Sequence, residues 1–557
     1  MRKNIRVDFS KEYKPHWAIF CQAISEMFAK YITSPNTREL PNGYTKEDLN
    51  FFNSKSRLMY LPWGLYSAGQ AVRDAKSLDE NDMVTGRNRD EVKFVIGDSG
   101  GFQIETGAIK WEGNKTREKM LRWLEKNCEI SMILDFPTGS IKKRKNPYYE
   151  EYCYDDEGNP IYDIIEVNGK KKRVHKTIKH KLDFWFCLER TIENNEYFIL
   201  HRTPGKTKFL NVLQGRYHDF DLDDEEIEKL NYGELPMEER KRLLKEKKIS
   251  EVDAWYHSVK KFSSCGEKSF EGWALAGDHK NCFDLSLRRL VIMLYDGFLE
   301  KETWIHFLGM GQVPIICLYS TIQKMLRQHK LCNKNLIISC DSSSAFSAAG
   351  AYGLVYDEIK MNKSGWYLSF DKLPQGKKYI GSKEPWITEN SKVNLAEKLG
   401  SPISKIMTLG DINVRENCDE ERTMDGDSYA YLMHHNAYVL QKAVIEGQKI
   451  FDMKDDDAKF LIPNDVLEIK KVIEDTFCFD SREKMLKHIR KNVNILRKLA
   501  VSKGPSVSEI ENEDFFFIPR SDRSGKKKIK KENLNNGNKN IIDAFDLFFL
   551  QEREENT

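Results

Sequence analysis

The sequence predicts an α/β fold, a TIM-type (β/α)8 barrel with insertions and a helical, basic C-terminal extension. Short apolar runs alternate with longer helical patterns from about residue 55 to residue 450, as expected for parallel strands joined by helical crossovers. Chemically distinctive residues directly follow candidate strands, and residues at the C-terminal ends of several strands converge only if the sheet closes into a ring. These residues are Asp98, Asp135, Gln214, Gly277, Gly309 and Asp341.

The candidate strands are short and rich in β-branched or apolar residues, whereas the candidate helices carry apolar residues at helical spacing. The candidate strands are Arg57–Leu61, Lys93–Ile96, Ile130–Leu134, Lys208–Leu213, Gly272–Leu275, Trp304–Phe307 and Leu336–Ser339. The candidate helices include Arg117–Asn127, Lys181–Asn194, Cys282–Leu299 and Thr321–His329.

Three regions are expected along the chain. Residues 1–54 form an N-terminal extension, residues 55–450 form the barrel, and residues 451–557 form a helical C-terminal region. Within the last region, the Lys-, Asn- and Gly-rich segment at about 521–540 has the composition of a disordered basic linker.

Two insertions interrupt the barrel pattern. The first, about 141–180, has alternating residues on both sides of Asn168-Gly169, the dipeptide of a tight β-hairpin turn. The second, about 219–250, is acid-rich and helical, and no function is assigned to it.

Composition places the chain among globular proteins without a membrane span. Of its 557 residues, 40% are apolar and 31% are charged, and no apolar run reaches the length of about 18 residues that a spanning helix needs. The first 17 residues lack the apolar core of a secretory signal, so we expect a cytoplasmic protein. Eleven cysteines stand singly without a CxxC pair, which favours reduced thiols over a disulfide frame or a zinc finger.

A net charge of +3 is too small to indicate nucleic-acid binding, so any basic footprint must be local. The first insertion supplies one, because its cations and tyrosines beside a barrel mouth suit a phosphate backbone. A solvated hairpin that touches nothing is the alternative. The candidate backbone-binding residues are Lys142, Lys143, Arg144, Lys145, Lys170, Lys171, Lys172 and Arg173.

The segment from Gly97 to Gln103 has the pattern of a small-molecule pocket at the end of a strand. Gly100 and Gly101 allow positive φ angles and close approach to a ligand, while Asp98 and Gln103 offer hydrogen-bonding edges for a planar heterocycle such as a purine. A strand-turn-helix corner with a polar cap is the alternative.

Seven segments, in order between residues 90 and 450, resemble motifs of the tRNA-guanine transglycosylase superfamily, whose members exchange a guanine in a polynucleotide for a 7-deazaguanine. The segments are GDSGGFQ at 97–103, ILDFPTG with Asp135, NVLQGR with Gln214, GWALAG at 272–277, HFLGMG at 306–311, IISCDSSSAF with Asp341, and the helical YLMHHNAYVLQ at 431–441.

The resemblance implies a covalent exchange in which a carboxylate holds the sugar while one base leaves and another enters. It makes Asp341 the nucleophile at C1′ and Asp98 the general acid/base. The implied base-binding residues are Ser99, Gly100, Gly101, Phe102, Gln103, Asp135, Gln214, Ala276, Gly277, Leu308 and Gly309. Taken one at a time, Asp341 also fits a helix N-cap and Asp135 a turn residue.

The tRNA enzymes bind a structural zinc through a CxCxxC cluster and a later histidine. Here the stretch Asn413–Asp427 offers only Cys418, and one thiol cannot replace three. We therefore expect no structural zinc and assign no cofactor. His435 keeps the family's His-Asn position without those partners.

After Asp341 the sequence reads Ser-Ser-Ser-Ala-Phe where the family has Cys-Val-Leu-Pro-Thr-Arg, and Asp278-His279 replaces an apolar pair. With the basic hairpin, these departures resemble the phage and bacterial DNA 7-deazaguanine transglycosylases. The resemblance implies exchange of guanine in DNA for a base such as preQ0, which protects DNA from restriction. DNA with a flipped guanine and the free base would be the partners, in the host cytoplasm if the protein is phage-encoded.

Three alternatives stay open at the level of sequence. The same chemistry could act on tRNA, as in queuosine or archaeosine formation. A barrel without activity could bind nucleic acid as a partner subunit, although retention of Asp98 and Asp341 argues against that. A hydrolase could remove bases without replacing them.

Overall fold

The computed structural model describes residues 5–499 apart from 35–37, 75–83, 85–93, 106–108, 140, 142–147, 156–158, 168, 219–223, 265, 281, 302–303, 418–419 and 421. In this part of the chain no helix combines the length and the apolar character needed to cross a bilayer.

The strands of the described residues are, in chain order, β1 Val7–Asp8, β2 Ile19–Gln22, β3 Met59–Tyr60, β4 Trp63–Ser67, β5 Phe94–Asp98, β6 Ile130–Met132, β7 Tyr148–Tyr152, β8 Tyr162–Val167, β9 Lys170–His175, β10 Thr177–Lys181, β11 Lys208–Leu213, β12 Gly272–Leu275, β13 Trp304–Phe307, β14 Ile337–Ser342, β15 Leu354–Asn362 and β16 Gly365–Lys372.

Eight of these strands form one parallel sheet in the order β2-β14-β13-β12-β11-β6-β5-β4. Its two edges meet where Ala23 bridges Leu65 and the Ile24 N–H donates to the Leu65 carbonyl at 2.9 Å. The sheet is therefore a nearly closed barrel, consistent with the TIM-type barrel that the sequence predicts. Strands covered on both faces are mainly apolar, as in β11, where every residue after Lys208 is buried and only Asn211 among these is polar.

The α-helices are α1 Glu26–Thr33, α2 Lys46–Leu49, α3 Ala68–Asp74, α4 Gly101–Glu105, α5 Asn114–Asn127, α6 Phe184–His201, α7 Asp224–Lys229, α8 Met237–Lys245, α9 Glu251–Val259, α10 Phe283–Tyr295, α11 Phe298–Lys301, α12 Val313–Gln328, α13 Ser344–Tyr352, α14 Leu395–Lys398, α15 Pro402–Ile406, α16 Leu409–Ile412, α17 Gly426–Phe451, α18 Asp455–Ala458, α19 Asn464–Phe477, α20 Arg482–Lys491 and α21 Val493–Leu496. Short 3-10 helices lie at Phe9–Lys11, Pro41–Gly43, Tyr232–Glu234, Lys260–Ser263, Gly266–Lys268, Gly277–Lys280 and Lys377–Tyr379.

The barrel begins earlier than the sequence pattern predicts. Its first strand, β2, lies inside the predicted N-terminal extension of residues 1–54, and its second strand is β4, after the predicted strand Arg57–Leu61. Of that predicted strand only β3 is extended, and it pairs with β1 outside the barrel. The barrel strand starts after Pro62, which has no N–H to donate to a ladder.

Two helices differ from their predicted limits: α6 begins at Phe184, inside the predicted Lys181–Asn194, and continues to His201, whereas α12 begins before its predicted start. Helix α6 begins at an N-cap, Asp183, whose side chain accepts the Phe186 N–H at 3.1 Å. Helix α12 begins eight residues before the predicted Thr321, with Pro314 in its first turn, where the missing N–H costs nothing.

The first insertion is a two-stranded antiparallel ribbon, as predicted, in which β7 pairs with β10 and β8 pairs with β9. Gly169, in the turn between β8 and β9, has a φ of 74°. The described part of the second insertion is helical, also as predicted, and contains α7 and α8.

The long helix α17 packs against the first barrel strand, β2. Its N-cap, Asp425, accepts the Ser428 N–H at 2.9 Å and forms an ion pair with Arg38 at 2.8 Å. The Gln22 amide in β2 donates to the Ala437 carbonyl in α17 at 3.1 Å, which ties this helix to the first barrel strand.

The C-terminal helices pack back onto the barrel helices. Arg497 forms an ion pair with Asp284 of α10 at 2.8 Å, and Arg482 pairs with Glu228 of α7 at 2.5 Å. Residues 501–557, including the predicted linker at 521–540, lie outside the described part of the chain.

A buried ion cluster joins α9 to α10 on the outside of the barrel. Asp253 contacts Arg288 at 3.2 Å and also pairs with Arg289, and its side chain and that of Arg289 are almost completely buried. Burial opposes ionisation of Asp253, but the two guanidinium groups prevail and hold its pKa well below the usual range.

We expect Asp253→Ala to lower the free energy of unfolding by about 3–5 kcal/mol, because the buried Arg289 charge would lose its carboxylate. Urea denaturation at pH 7 measures this cost. The matched control is Glu239→Ala, which removes an exposed ion pair with Arg242 and should leave stability unchanged. Equal costs for the two variants would contradict the role given to the cluster.

Candidate functional site

Four polar side chains predicted to form the site lie at the C-terminal ends of barrel strands. Asp98 ends β5, Asp135 follows β6 by three residues, Gln214 follows β11 directly, and Asp341 lies near the end of β14. Because all the barrel strands are parallel, these ends share one rim of the barrel.

Direct contacts and charge interactions link these residues. The Gln214 Nε2 donates to Asp135 Oδ2 at 2.8 Å. The negative charge of Asp341 acts on Asp98, and that of Asp98 acts on Asp135. The structure therefore brings the four residues into one site, although the first and the last of them are more than 200 residues apart in sequence.

Close backbone packing explains the glycines of the segment Gly97–Gln103. A Cβ on Gly101 would lie 2.2 Å from the Asp135 carbonyl oxygen, and one on Gly100, whose φ is 86°, would lie 2.7 Å from the Gly69 Cα. No side chain fits at either position. The glycines thus press the start of α4 onto the Asp135 loop and bring Asp98 and Asp135 together.

Asp98 is a carboxyl group in a poorly hydrated setting. Burial raises its pKa first, and the nearby charge of Asp341 raises it further. The Ser67 hydroxyl and the backbone N–H groups of Ser99 and Gly100 act in the opposite direction without cancelling the effect. A raised pKa brings a carboxyl group closer to the range in which it can both donate and accept a proton.

The pKa of Asp135 is raised as well. Burial raises its pKa to about 7, with a contribution from the charge of Asp98 and with the Gln214 hydrogen bond opposing. At neutral pH its protonated and ionised forms are therefore both populated, and it can offer either a donor or an acceptor to a ligand.

Asp341 has a different environment. Its Oδ1 accepts the Gly309 N–H at 2.9 Å and lies 3.1 Å from His306 Nε2. On its other side the His306 ring places Nδ1 2.7 Å from Ser339 Oγ, and Ser339 accepts the Trp304 indole N–H at 2.7 Å. The result is a buried chain of hydrogen bonds that ends on one carboxylate oxygen of Asp341.

The donors and acceptors along this chain of hydrogen bonds indicate the tautomer of His306. An ionised carboxylate only accepts, so His306 Nε2 carries the proton that faces Asp341. In the neutral ring, Nδ1 then accepts from the Ser339 hydroxyl. Each group is thereby oriented by the one before it, and the Asp341 carboxylate is held at a fixed angle.

Sequence reasoning missed His306, Ser339, Trp304 and Ser67. A signal was present, because side chains two residues apart on a strand share a face. Trp304 and His306 alternate along β13, and the register places His306 beside Ser339, two residues before Asp341. Strand register, rather than any motif, would have found them.

The remaining residues predicted to bind the base surround the same rim. Ser99, Gln103 and Ala276 are buried, Leu308 is half-buried, and Phe102 is 37% exposed. Gly277 has a φ of 57°, and a Cβ there would lie 2.4 Å from the Gly215 carbonyl oxygen.

Gly309 differs from its expected role in one respect. The sequence places it in the base pocket, whereas in the structure its N–H donates to Asp341, the predicted nucleophile. Its φ of 69° aims that N–H at the carboxylate, a conformation that glycine adopts without strain.

Asp278 and His279, which replace an apolar pair of the family, contact the protein's own backbone. Asp278 Oδ2 accepts the Tyr217 N–H at 2.8 Å, and His279 Nδ1 lies 3.1 Å from the Ala276 carbonyl oxygen. Burial, together with the charge of Arg289, lowers the pKa of His279 to about 3, so its ring is neutral at physiological pH.

The predicted phosphate contacts fall into two groups. Lys170, Lys171, Lys172 and Arg173 are all exposed on β9. Lys142, Lys143, Arg144 and Lys145 lie outside the described residues.

Among the described residues, no group of three or more His, Cys, Asp or Glu side chains could hold a metal ion. Cys418 lies outside the described part of the chain. His435 Nε2 lies 2.8 Å from the Tyr356 carbonyl, and the neighbouring Asn436 accepts the Tyr356 N–H at 2.9 Å. The His-Asn pair therefore fastens β15 to α17.

Comparisons of this chain with protein-family models, with curated proteins and with solved structures found no match. The fold and the site by themselves define a parallel α/β barrel with three acidic side chains gathered at the C-terminal rim of its strands.

The raised pKa of Asp135 gives a pH-dependent stability. A carboxyl group with a higher pKa in the folded chain stabilises it fully below the unfolded pKa, near 4, and this contribution is lost as pH rises through about 7. Between pH 5 and pH 8, the free energy of unfolding of the unmodified protein should fall by about 2 kcal/mol more than that of Asp135→Asn. Urea denaturation at several pH values tests this, and parallel pH profiles would contradict it.

Proposed function

We propose that this protein exchanges guanine in DNA for a 7-deazaguanine base such as preQ0, and thereby protects the DNA from restriction nucleases. One observation carries the proposal: Asp98 and Asp341 lie on one barrel rim, within range of each other's charge, but in opposite settings. Asp341 is supported by two N–H groups, whereas Asp98 is half-buried and has a raised pKa. One carboxylate is prepared as a nucleophile and the other as an acid.

The exchange proceeds in two displacements. The Asp341 carboxylate attacks C1′, a C1′–O bond forms as the C1′–N9 bond breaks, and the departing guanine takes a proton from Asp98. The incoming base then loses its N9 proton to Asp98, and N9 attacks C1′ while the ester to Asp341 breaks. Two inversions retain the configuration at C1′, and no other reactant is required.

The hydrogen bonds of Asp341 favour this role. Those it receives from described residues, Gly309 and His306, both end on Oδ1. Oδ2 is then the oxygen that faces C1′, and its direction is set by the chain from Trp304 through Ser339 to His306.

The base lies between the motif after β5 and the loops after β12 and β13. Asp135 and Gln214 hydrogen-bond its Watson–Crick edge, and a pKa near 7 lets Asp135 accept or donate. The other pocket residues are Ser99, Gly100, Gly101, Phe102, Gln103, Ala276, Gly277, Leu308 and Gly309. A guanine inside a duplex must first be flipped out, which costs a few kcal/mol. We also propose that the barrel is of the (β/α)8 type.

Exchange on tRNA is the alternative within the same chemistry, and a non-catalytic nucleic-acid-binding subunit is the alternative from another class. The exposed basic ribbon beside the rim favours a polynucleotide partner. The serines after Asp341 favour DNA, because they replace the segment with which the tRNA family continues.

The direct test is incorporation of radiolabelled guanine or preQ0 by the purified protein into duplex DNA, single-stranded DNA and unmodified tRNA. We expect label in DNA. Label in tRNA alone would overturn the choice of substrate, and label in none would favour the binding subunit. Release of guanine without added base would indicate a hydrolase.

Asp341→Ala and Asp98→Ala should each abolish exchange, because the first removes the nucleophile and the second removes the proton donor. Asp456→Ala, which changes an exposed carboxylate on α18, should retain full activity. Incorporation of label measures activity, and circular dichroism checks the fold. Normal turnover in either site variant would contradict the mechanism.

His306→Phe should lower kcat by about 10–100-fold, since Asp341 would lose one of its two donors and its fixed direction. His306→Gln keeps an N–H donor on a side chain of similar reach and should recover part of the rate. Single-turnover exchange measures both variants. Equal rates for His306→Phe and the unmodified protein would mean that the hydrogen-bond chain is only structural.

A further inference from the structure

The strands β7, β8, β9 and β10, between Tyr148 and Lys181, form a long ribbon. Five register pairs join β7 to β10, and six join β8 to β9. Backbone hydrogen bonds from Cys153 to Lys176 and from Ile161 to Cys153 connect the two parts. At about 3.3 Å per residue the ribbon reaches about 35 Å.

Its root is anchored beside the site, at the loop that follows Asp135. The Tyr149 ring packs edge-on against Phe136, with ring centroids 5.3 Å apart. Glu151 accepts the Trp111 indole N–H at 3.0 Å and pairs with Arg190 at 2.8 Å. These contacts fix the direction in which the ribbon leaves the barrel.

The loop after the Asp98 motif holds the ribbon from a second side. Lys110 Nζ lies 3.7 Å from the centroid of the Tyr152 ring and 3.3 Å from His175 Nδ1. The Tyr154 hydroxyl donates to Glu112 at 3.1 Å. The ribbon thus rises from between the two loops that carry Asp98 and Asp135.

The outer half of the ribbon has a different character. From residue 161 to residue 176 there are five Lys or Arg side chains against two acidic ones. Ile164 is 73% exposed and Ile165 is 42% exposed.

Two exposed isoleucines of the outer ribbon have a cation as their cross-strand partner. Ile164 pairs with Arg173 and Ile165 pairs with Lys172. Because cross-strand partners share a face and adjacent residues point to opposite faces, both faces carry one aliphatic side chain beside one cation. Arg173 also lies 3.8 Å above the Tyr162 ring, which holds its guanidinium in place.

We infer that the outer part of this ribbon, from Tyr162 to His175, enters the major groove of duplex DNA while a guanine is exchanged at the barrel rim. This inference rests on the proposed function and specifies its substrate as double-stranded DNA. The major groove of B-DNA, about 12 Å wide, admits a two-stranded ribbon. Cations on both faces then reach phosphates on both sides of the groove, and the isoleucines contact base edges and thymine methyl groups.

The length of the ribbon sets the distance between the flipped guanine and the groove that the ribbon enters. A span of about 35 Å equals about one helical turn of DNA, so the groove that it enters lies about one turn from the flipped guanine. A-form RNA has a deep, narrow major groove that side chains cannot read, so the ribbon discriminates against duplex RNA.

The test compares the binding of three probes of one sequence: duplex DNA, single-stranded DNA and duplex RNA. The variants Ile164→Ser/Arg173→Gln and Ile165→Ser/Lys172→Gln each remove one aliphatic side chain and one cation from one face. The matched control, Leu200→Ser/Lys330→Gln, removes the same types of side chain. Leu200, which is 65% exposed, and the exposed Lys330 both precede barrel strands and so lie at the opposite end of the barrel.

Each ribbon variant should weaken binding to duplex DNA by about tenfold and reduce the salt slope by about 0.9 for each phosphate that the ribbon no longer neutralises. Binding to single-stranded DNA should change by less than about twofold, and the control should match the unmodified protein. A shortened ribbon, with residues 163–174 replaced by Asn-Gly so that Tyr162 and His175 flank the turn, should bind duplex DNA and duplex RNA equally.

Equal affinity of the unmodified protein for duplex DNA and duplex RNA would overturn the inference. So would an equal reduction of binding to single-stranded and duplex DNA in the ribbon variants. Base exchange is measured separately: ribbon-dependent duplex binding without any exchange would overturn the proposed function and support the role of the ribbon.

Discussion

Three buried or half-buried carboxyl groups that lie close together determine what the rest of this site can do. Asp98, Asp135 and Asp341 lie on one barrel rim, where burial and the charge of Asp341 raise the pKa of Asp98, and burial and the charge of Asp98 raise the pKa of Asp135. The three carboxyl groups receive different hydrogen-bond donors. Asp341 receives two N–H groups, whereas Asp135 receives one amide and Asp98 receives a hydroxyl and backbone N–H groups. The three carboxyl groups therefore have different hydrogen-bond partners, and different environments are what acid–base and nucleophilic roles require.

The barrel provides that unequal support through its register. Adjacent parallel strands bring His306 beside Ser339, and alternation along β13 and β14 keeps Trp304, His306, Ser339 and Asp341 on one face. On the other side of the site, glycines at 100 and 101 let a helix start touch the Asp135 backbone. A methyl group at position 101 would separate two of the three acids.

The ribbon and the barrel divide recognition between them in the function that we propose. The rim residues contact the base and C1′, while the ribbon, anchored through Glu151 and Tyr149, extends away from the rim. Its fixed root matters, because a freely moving arm would add charge but could not hold the duplex in one register relative to the site. The apolar and cationic side chains of its outer half then contact the duplex at a distance from the chemistry.

The sequence by itself determined the class of fold, most of the barrel strands and the polar residues at their ends, because apolar runs and strand-end glycines are local patterns. It could not place β2, since the short run Ile19–Gln22 differs from other apolar segments only in its long-range partners, β14 and the middle of β4. Only the tertiary structure decided that the Gly309 N–H donates to Asp341 and that His306 belongs to the site, because both contacts depend on strand register. The shifts in proton affinity of Asp98 and Asp135 likewise arise from burial and from charges that the folded barrel alone brings together.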